Sequence, residues 1–155
     1  MRQVHLSGQE QQEIVKLARE WLGTPYHHQA SCKGIGTDCL GLVRGIFKEY
    51  TGAPTVKPPA YSRAWGESDG QELMLQAAHK YLIYIGDKSI ANYYLDPGDV
   101  LIFRIRKGSV AKHSAIYVGG MRIIHAFEGN NTCEVELQMP WRKKIAGVFQ
   151  FPHKS

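Results

Sequence analysis

Apolar residues recur at helical spacing over the first third of the chain. After Ser7 they fall at positions i, i+3, i+4, i+7 and i+8, which is the pattern of one buried helix face. The residues of this face are Ile14, Leu17, Ala18, Trp21 and Leu22. Ser7 and Glu10 form a capping-box pair that predicts the start of the helix, and Gly23 is placed to end it.

A second and a third helix are predicted by the same periodicity. The second begins near Asp38 and is ended by Gly52, and the third starts after Ser68, where Gln71 completes another capping-box pair. The buried face of the second helix is formed by Leu42, Val43, Ile46, Phe47 and Tyr50. The proline-bearing segment 51–66 between them is expected to be a long surface loop.

The hydrophobic period changes in the second half of the chain. Strands are predicted over 100–106, 113–118, 121–127, 134–137 and 145–151, with turns at 96–99 and at Gly119-Gly120. Helices followed by strands predict an α+β fold, in which N-terminal helices pack on an antiparallel sheet. With 155 residues, the chain is expected to form a single domain over 1–155.

Composition narrows the class of protein. The chain is 43% hydrophobic and 21% charged, as globular proteins are, and its three widely spaced cysteines argue against a disulfide framework. No run approaches the roughly 18 apolar residues of a membrane helix, and the N-terminus has no apolar signal segment. We therefore expect synthesis in the cytoplasm without a signal peptide, and no membrane insertion.

The net charge of +5 comes from scattered basic residues, which are densest at 104–107 and 142–144. A surface of this kind suits nucleic acid, an anionic cell wall or plain solvation. Charge alone therefore leaves the partner open.

Cys39 is the first candidate for chemistry. It lies where a glycine-bearing loop leads into a helix, so the positive end of the helix dipole is expected to lower the pKa of its thiol. The amides of the first turn can donate to an oxyanion, and Gly41 is expected to leave room for a substrate backbone. From Cys39 alone, a buried structural cysteine is the alternative.

Two histidines interrupt the apolar strands that follow. His113 opens one predicted strand, and His125 lies on the next. Either one alone would more often be an ordinary sheet histidine, but with Cys39 they fit a nucleophile, a base and a group that orients the base. Cys32 and Cys133 have no such partners, so we expect neither to be catalytic.

The hairpin between the two strands sets a condition on that interpretation. Side chains alternate along a strand, so a plain two-residue turn at Gly119-Gly120 would place His113 and His125 on opposite faces of the sheet. A shared face requires a loop of odd length, such as Val118-Gly119-Gly120, or a β-bulge in one strand.

These motifs resemble those of the NlpC family of papain-like cell-wall peptidases. The resemblance runs, in the family's order, through 23–26, 38–42, 97–101, 113–120 and 124–126. It implies that Cys39 is the nucleophile, His113 the base and His125 the residue that orients the base. It also implies that Tyr26 and Asp38 help to bind substrate or the oxyanion, without a metal or cofactor.

The resemblance implies hydrolysis of an amide bond in peptidoglycan stem peptides through a thioacyl intermediate. The default bond is the one between γ-D-glutamyl and the diamino acid. Leu40 departs from the commoner family pattern, which has Ser after the Asp-Cys pair. In several members that Asp-Ser pair helps to bind the free amine of L-alanine, so the requirement for this amine is open here.

A narrower resemblance is to a phage-like branch that includes gene-transfer-agent peptidases. It rests on 26–31, 41–45 and 141–149. It implies phage-like tail proteins, rather than nucleic acid, as partners beside peptidoglycan. It also implies delivery to the cell wall by a particle or by lysis.

Three alternatives stay open. A zinc site could draw on the Cys and His side chains, although their spacing matches no close ligand pair; the candidates are Cys32, Cys39, His27, His28, His113 and His125. A catalytically silent tail component would keep only the fold. An acyltransferase would use the same catalytic residues with an acceptor other than water.

Overall fold

The computed structural model describes residues 6–53, 70–87, 89 and 95–154. The helices are α1 (Gly8–Arg19), α2 (Cys39–Thr51), α3 (Leu73–Tyr81) and α4 (Met139–Arg142). The strands are β1 (Ser31–Cys32), β2 (Gly36–Thr37), β3 (Ile83–Gly86), β4 (Val100–Phe103), β5 (His113–Gly119), β6 (Arg122–His125), β7 (Cys133–Glu136) and β8 (Ile145–Gln150). Ser68 and most of the predicted loop at 51–66 lie outside the described residues.

The strands β3 to β8 form an antiparallel sheet that has helices on one face. Among the described residues, the sheet order is β3-β8-β4-β5-β6-β7. Residues such as Ile102 and Ile116 pack with α1, α2 and α3 on one face, whereas Leu101, Ala115 and Ile123 pack with Trp141 on the other. The predicted α+β architecture is confirmed.

The first helix has the predicted start and an earlier end. The Ser7 N–H donates to Glu10 Oε1 at 2.9 Å, and the Glu10 N–H donates to Ser7 Oγ at 3.1 Å, so the capping box is present. The helix ends at Arg19, not at Gly23. Because the chain has left helical geometry by then, Leu22 is 41% exposed and does not belong to the buried face.

The second helix follows the prediction closely. Asp38 caps it, and Gly52 ends it in the left-handed region at φ 73°. Its buried residues include Leu42, Ile46 and Tyr50, which face the sheet core. This helix carries Cys39 at its first position.

Several elements were not predicted. The short hairpin of β1 and β2 lies in the loop before α2, β3 forms one edge of the sheet, and α4 is a single turn. The third helix begins at Leu73, later than predicted, so Gln71 lies before it, and Ser68, the predicted partner of Gln71, lies outside the described residues. No helix in the described part of the chain is long and apolar enough to cross a membrane.

Candidate active site

Cys39 is the first residue of α2, and the Asp38 side chain fixes its surroundings. The two carboxylate oxygens of Asp38 accept hydrogen bonds from the Gly41 N–H and the Gln29 N–H, each at 2.8 Å. The first bond closes the initial turn of the helix, and the second ties the preceding loop to it. Asp38 therefore determines where the chain presents Cys39.

The start of β5 lies directly against Cys39. The Cys39 thiol donates to the Lys112 carbonyl oxygen, 3.7 Å from Sγ, and the Ser114 hydroxyl donates to the Cys39 carbonyl oxygen at 3.1 Å. Lys112 and Ser114 flank His113 in the chain. The fold thus brings the candidate nucleophile to the strand position of the candidate base.

The two histidines share one face of the sheet. His113 Nε2 and His125 Nδ1 are 2.9 Å apart, which is a hydrogen-bond distance. Both side chains are buried on the sheet face opposite α2, because they alternate with Ser114 and Ile124, and Ile124 packs in the helix-side core. The sequence condition for cooperation between the histidines is met.

A β-bulge in β5 produces this shared face. Tyr117 pairs with Ile123, but Gly119 pairs with Arg122, so β5 has one more residue than β6 between these pairs. The turn is a two-residue turn at 120–121, with positive φ angles of 58° and 61°. Without the bulge, this turn would place the two histidines on opposite faces.

Aromatic rings enclose the histidine pair. The ring centroid of Trp141 lies 5.7 Å from that of His113 and 6.0 Å from that of His125. Phe103 packs at 5.8 Å from His113, and Phe127 packs at 4.6 Å from His125. These rings fix the orientation of both imidazoles and keep most water away from them.

The thiol is protonated in the resting site. Burial and, to a smaller extent, the neighbouring Asp38 carboxylate raise the pKa of the Cys39 thiol to about 11. The Ser114 N–H, the Ser114 hydroxyl and the Leu40 N–H act in the opposite direction, but they do not outweigh burial. The net pKa is therefore raised rather than lowered as expected, although the Leu40 N–H at the helix start acts in the expected direction.

The imidazoles are neutral near pH 7. Burial lowers the pKa of both rings well below the ordinary value of 6.5, and the nearby His125 lowers the pKa of His113 further. Across their 2.9 Å contact, one neutral ring donates and the other accepts. The resting site thus contains a thiol and neutral imidazoles rather than a thiolate–imidazolium pair.

Gly41 does not leave space for a substrate. A Cβ on this residue would lie 1.9 Å from the Ala30 carbonyl oxygen and 2.7 Å from Thr37 Oγ1. The position next to Gly41 is therefore filled by the loop that precedes α2. Glycine is needed here for close packing of that loop on the helix, and the interpretation made from the sequence is wrong.

The remaining candidates occupy defined positions. Tyr26 is half-buried and forms a β-bridge with Thr37, and its contribution to substrate binding stays a prediction, as does that of Asp38. Cys32 is exposed on β1 and Cys133 is half-buried on β7, and neither forms a disulfide. Among the described residues, no three His, Cys, Asp or Glu side chains are arranged to hold a metal ion.

Sequence reasoning missed two residues of the site, Ser114 and Trp141. Ser114 follows His113 in a strand, so it must face the opposite side of the sheet, where α2 lies. Strand alternation could have identified it once His113 was chosen. Trp141 lies on a one-turn helix that has no periodicity to reveal its direction.

A helix-start cysteine beside strand histidines on an antiparallel sheet defines a papain-like α+β domain. Residues 23–150 match the model of the NlpC/P60 family, and the chain belongs to this family. The chain is 26% identical over 139 residues to the gamma-DL-glutamyl hydrolase of Bacillus subtilis (strain 168), covering 89% of this chain and 29% of that protein.

A second relative is the murein DD-endopeptidase MepS/murein LD-carboxypeptidase of Escherichia coli (strain K12). It is 26% identical over 125 residues, which cover 81% of this chain and 54% of that protein. The chain therefore spans about a third and about half of the lengths of these two relatives.

Solved structures share the fold. One is an NLP/P60 family protein, described as similar to lipoprotein, from Staphylococcus aureus, with a TM-score of 0.64, 19% identity and coverage of 97% of this chain and 44% of that one. Another is RipD of Mycobacterium tuberculosis, described as a non-catalytic NlpC/p60 domain protein adapted to peptidoglycan binding. Its TM-score is 0.52 at 12% identity, and it covers 93% of this chain and 98% of its own.

Proposed function

We propose that this protein is a cysteine peptidase that hydrolyses an amide bond in peptidoglycan stem peptides. The observation that carries the proposal is the 2.9 Å contact between His113 and His125, formed where β5 lies against Cys39. Family membership and the names of the two relatives support peptidoglycan as the substrate. The default bond is the one between γ-D-glutamyl and the diamino acid.

The hydrogen bond between the histidines supports His113 as the base. If His113 donates from Nε2 to His125 Nδ1, its own Nδ1 has no proton and can accept one. For this role Nδ1 has to meet the Cys39 thiol around the end of the sheet, where the Lys112 carbonyl already contacts Sγ, and take the Cys39 proton as sulfur attacks the substrate carbonyl carbon. His113 returns this proton to the leaving amine as the carbon–nitrogen bond breaks.

Water completes the reaction. It attacks the thioester carbonyl while His113 accepts its proton, and that proton then returns to Cys39 sulfur as the acid product leaves. We assign the Cys39 N–H to the oxyanion, because the Gly41 N–H is already bonded to Asp38, and the family resemblance implies the Tyr26 hydroxyl as a second donor.

Leu40 supports a substrate that lacks a free L-alanine amine. It cannot supply the hydroxyl that Ser supplies at this position in the commoner family pattern. The pair that binds this amine in several family members is thus incomplete here.

We also propose delivery by a phage-like particle, which rests on the motifs at 26–31, 41–45 and 141–149.

Digestion of purified muropeptides, followed by mass spectrometry, tests the function. The parent protein is expected to produce fragments cut at the γ-D-glutamyl bond, and Cys39→Ala is expected to produce none while keeping its fold. The matched control is the double variant Cys32→Ser, Cys133→Ser, which removes the other two thiols and should keep full activity.

Unchanged muropeptides with folded parent protein would indicate a silent, binding-only domain instead. Products joined to an added amine, rather than to water, would indicate an acyltransferase.

A further inference from the structure

The first turn of α2 accepts hydrogen bonds from hydroxyl groups that lie outside the helix. Each hydroxyl donates to one backbone carbonyl of this turn or of its cap. The pairs are Thr37 with Asp38 at 2.9 Å, Ser114 with Cys39 at 3.1 Å, and Ser31 with Gly41 at 2.6 Å. The end of the helix that carries the nucleophile is therefore held from several sides.

Ser114 differs from the other two in its relation to the sulfur. Its side chain is 1% exposed, and it comes from the sheet rather than from the loop before α2. Its hydroxyl lies 3.1 Å from the carbonyl oxygen of the residue that carries the sulfur, and its hydroxyl and its backbone N–H both lower the pKa of the Cys39 thiol. The hydroxyls of Thr37 and Ser31 donate instead to the carbonyl oxygens of Asp38 and Gly41, and not to a group of Cys39.

A serine hydroxyl has one hydrogen, so it can donate to only one acceptor at a time. In the resting site the Cys39 thiol donates to the Lys112 carbonyl, and its sulfur is a weak acceptor. The carbonyl oxygen of Cys39 is then the better acceptor for Ser114. Once the thiol loses its proton, the sulfur becomes an anion, and hydrogen bonds to charged groups are the stronger ones.

We propose that Ser114 is a positioning residue with two hydrogen-bonding states. In the resting protein its hydroxyl anchors the Cys39 carbonyl, and it rotates to donate to the Cys39 sulfur when the proton leaves. The rotation supplies a donor at the moment when negative charge develops in a buried site. This inference deepens the proposed function and rests on Cys39 being the nucleophile.

Alkylation of Cys39 by iodoacetamide tests the proposal without any substrate. The parent for this experiment is the Cys32→Ser, Cys133→Ser variant, in which only Cys39 can react. At fixed pH between 7 and 9, Ser114→Ala in this background is expected to react about ten-fold more slowly, since one donor to the thiolate is lost. Ser114→Thr keeps the hydroxyl and is expected to react within about two-fold of the parent rate.

Matched controls separate this role from anchoring of the helix. Ser31→Ala and Thr37→Val each remove a hydroxyl that donates to the same turn or its cap, but not to Cys39 itself. Both are expected to react within about two-fold of the parent. Urea unfolding of every variant establishes that each is folded under the assay conditions, and Ser114→Val, which has the shape of Ser114→Thr and a high strand propensity, replaces Ser114→Ala if the latter is not.

The outcomes are distinct. The proposal is overturned if folded Ser114→Ala reacts at the parent rate, or if Ser31→Ala or Thr37→Val slows the reaction equally. It is also overturned if Ser114→Thr is as slow as Ser114→Ala. If Ser114→Ala slows alkylation but the parent cuts no muropeptide, the inference on Ser114 stands and the proposed peptidase function fails. In an active enzyme, we expect Ser114→Ala to lower kcat with little change in KM.

Discussion

At the scale of single residues, the proposed role of Cys39 as nucleophile depends on its neighbours. A thiol with a pKa near 11 is almost fully protonated at neutral pH, and it has no imidazolium partner in the resting site. Proton removal therefore has to accompany attack on the substrate. The proposed base, His113, must therefore be held in the right orientation to accept the proton during attack, and the residues that hold its ring matter for the rate.

The two histidines should contribute unequally. His113→Ala removes the proposed base and is expected to lower kcat/KM by about 100- to 10,000-fold. His125→Ala removes an orienting partner, for which about 10- to 100-fold is typical. His125→Asn should recover part of that loss, because its amide oxygen can accept the same bond from His113 Nε2. Steady-state kinetics on a muropeptide measures all three, and a larger loss for His125→Ala than for His113→Ala would contradict the assigned roles.

The residues that sequence reasoning found are those that carry recognisable chemistry in recognisable places. Cys39 follows a helix cap, and each histidine breaks an apolar strand. Ser114 has neither signal, and its partner Cys39 is 75 positions away in the chain. The pKa of the thiol was also beyond the sequence, because it depends on burial by elements that only the fold brings together.

At the scale of elements, the loop before α2 and the helix form one packed unit. The Gln29 N–H binds the Asp38 cap, and the Ala30 carbonyl fills the space that a side chain on Gly41 would need. The position of Cys39 therefore depends on loop packing as much as on the helix itself.

Gly41→Ala should damage this unit. Its Cβ would overlap the Ala30 carbonyl, so we expect a loss of about 1–3 kcal/mol in the free energy of unfolding, together with a loss of activity. Gly8→Ala is the matched control, because Gly8 lies in α1 with no atom within 4 Å of the added Cβ. The control should be unchanged or stabilised by up to about 1 kcal/mol. Urea unfolding measures both, and equal stabilities for the two variants would refute the packing argument.

Elements with local end signals could be predicted, whereas elements defined by their neighbours could not. Ser7 and Glu10 mark the start of α1, and Asp38 and Gly52 mark the two ends of α2. The edge strand β3 has four residues, none of them fully buried, so it has no clear alternation of apolar and polar positions. The sheet partner β8 makes it a strand, and that contact is not visible in local sequence.

At the scale of the whole molecule, the sheet separates two environments. Helices cover one face and bring Cys39 to the start of β5, while the other face buries the histidine pair beneath Trp141. Burial of two ionisable rings on this face links the stability of the entire domain to pH.

Stability should fall as the pH drops below 6.5. Both histidines have folded pKa values well below 6.5, so the unfolded chain binds protons that the folded chain does not. The free energy of unfolding should decrease by up to about 4 kcal/mol between pH 7 and pH 5 from these two groups, and no such slope is expected from them above pH 7.

Urea unfolding at pH 7 and pH 5 measures the difference. The double variant His113→Gln, His125→Gln lacks both groups and should lose correspondingly less stability than the parent over the same range. The same loss in both proteins would show that other groups cause the pH dependence.

Because β5 contains a bulge, the effect of shortening or lengthening its hairpin depends on whether an odd or an even number of residues is removed or added. Removing one residue between His113 and His125 would turn one ring toward α2 and separate the pair, whereas removing two would keep both rings on the same side. Insertions and deletions in this hairpin are therefore expected to accumulate in pairs during evolution whenever the histidine pair is retained. A single-residue change should appear only together with the gain or loss of a bulge.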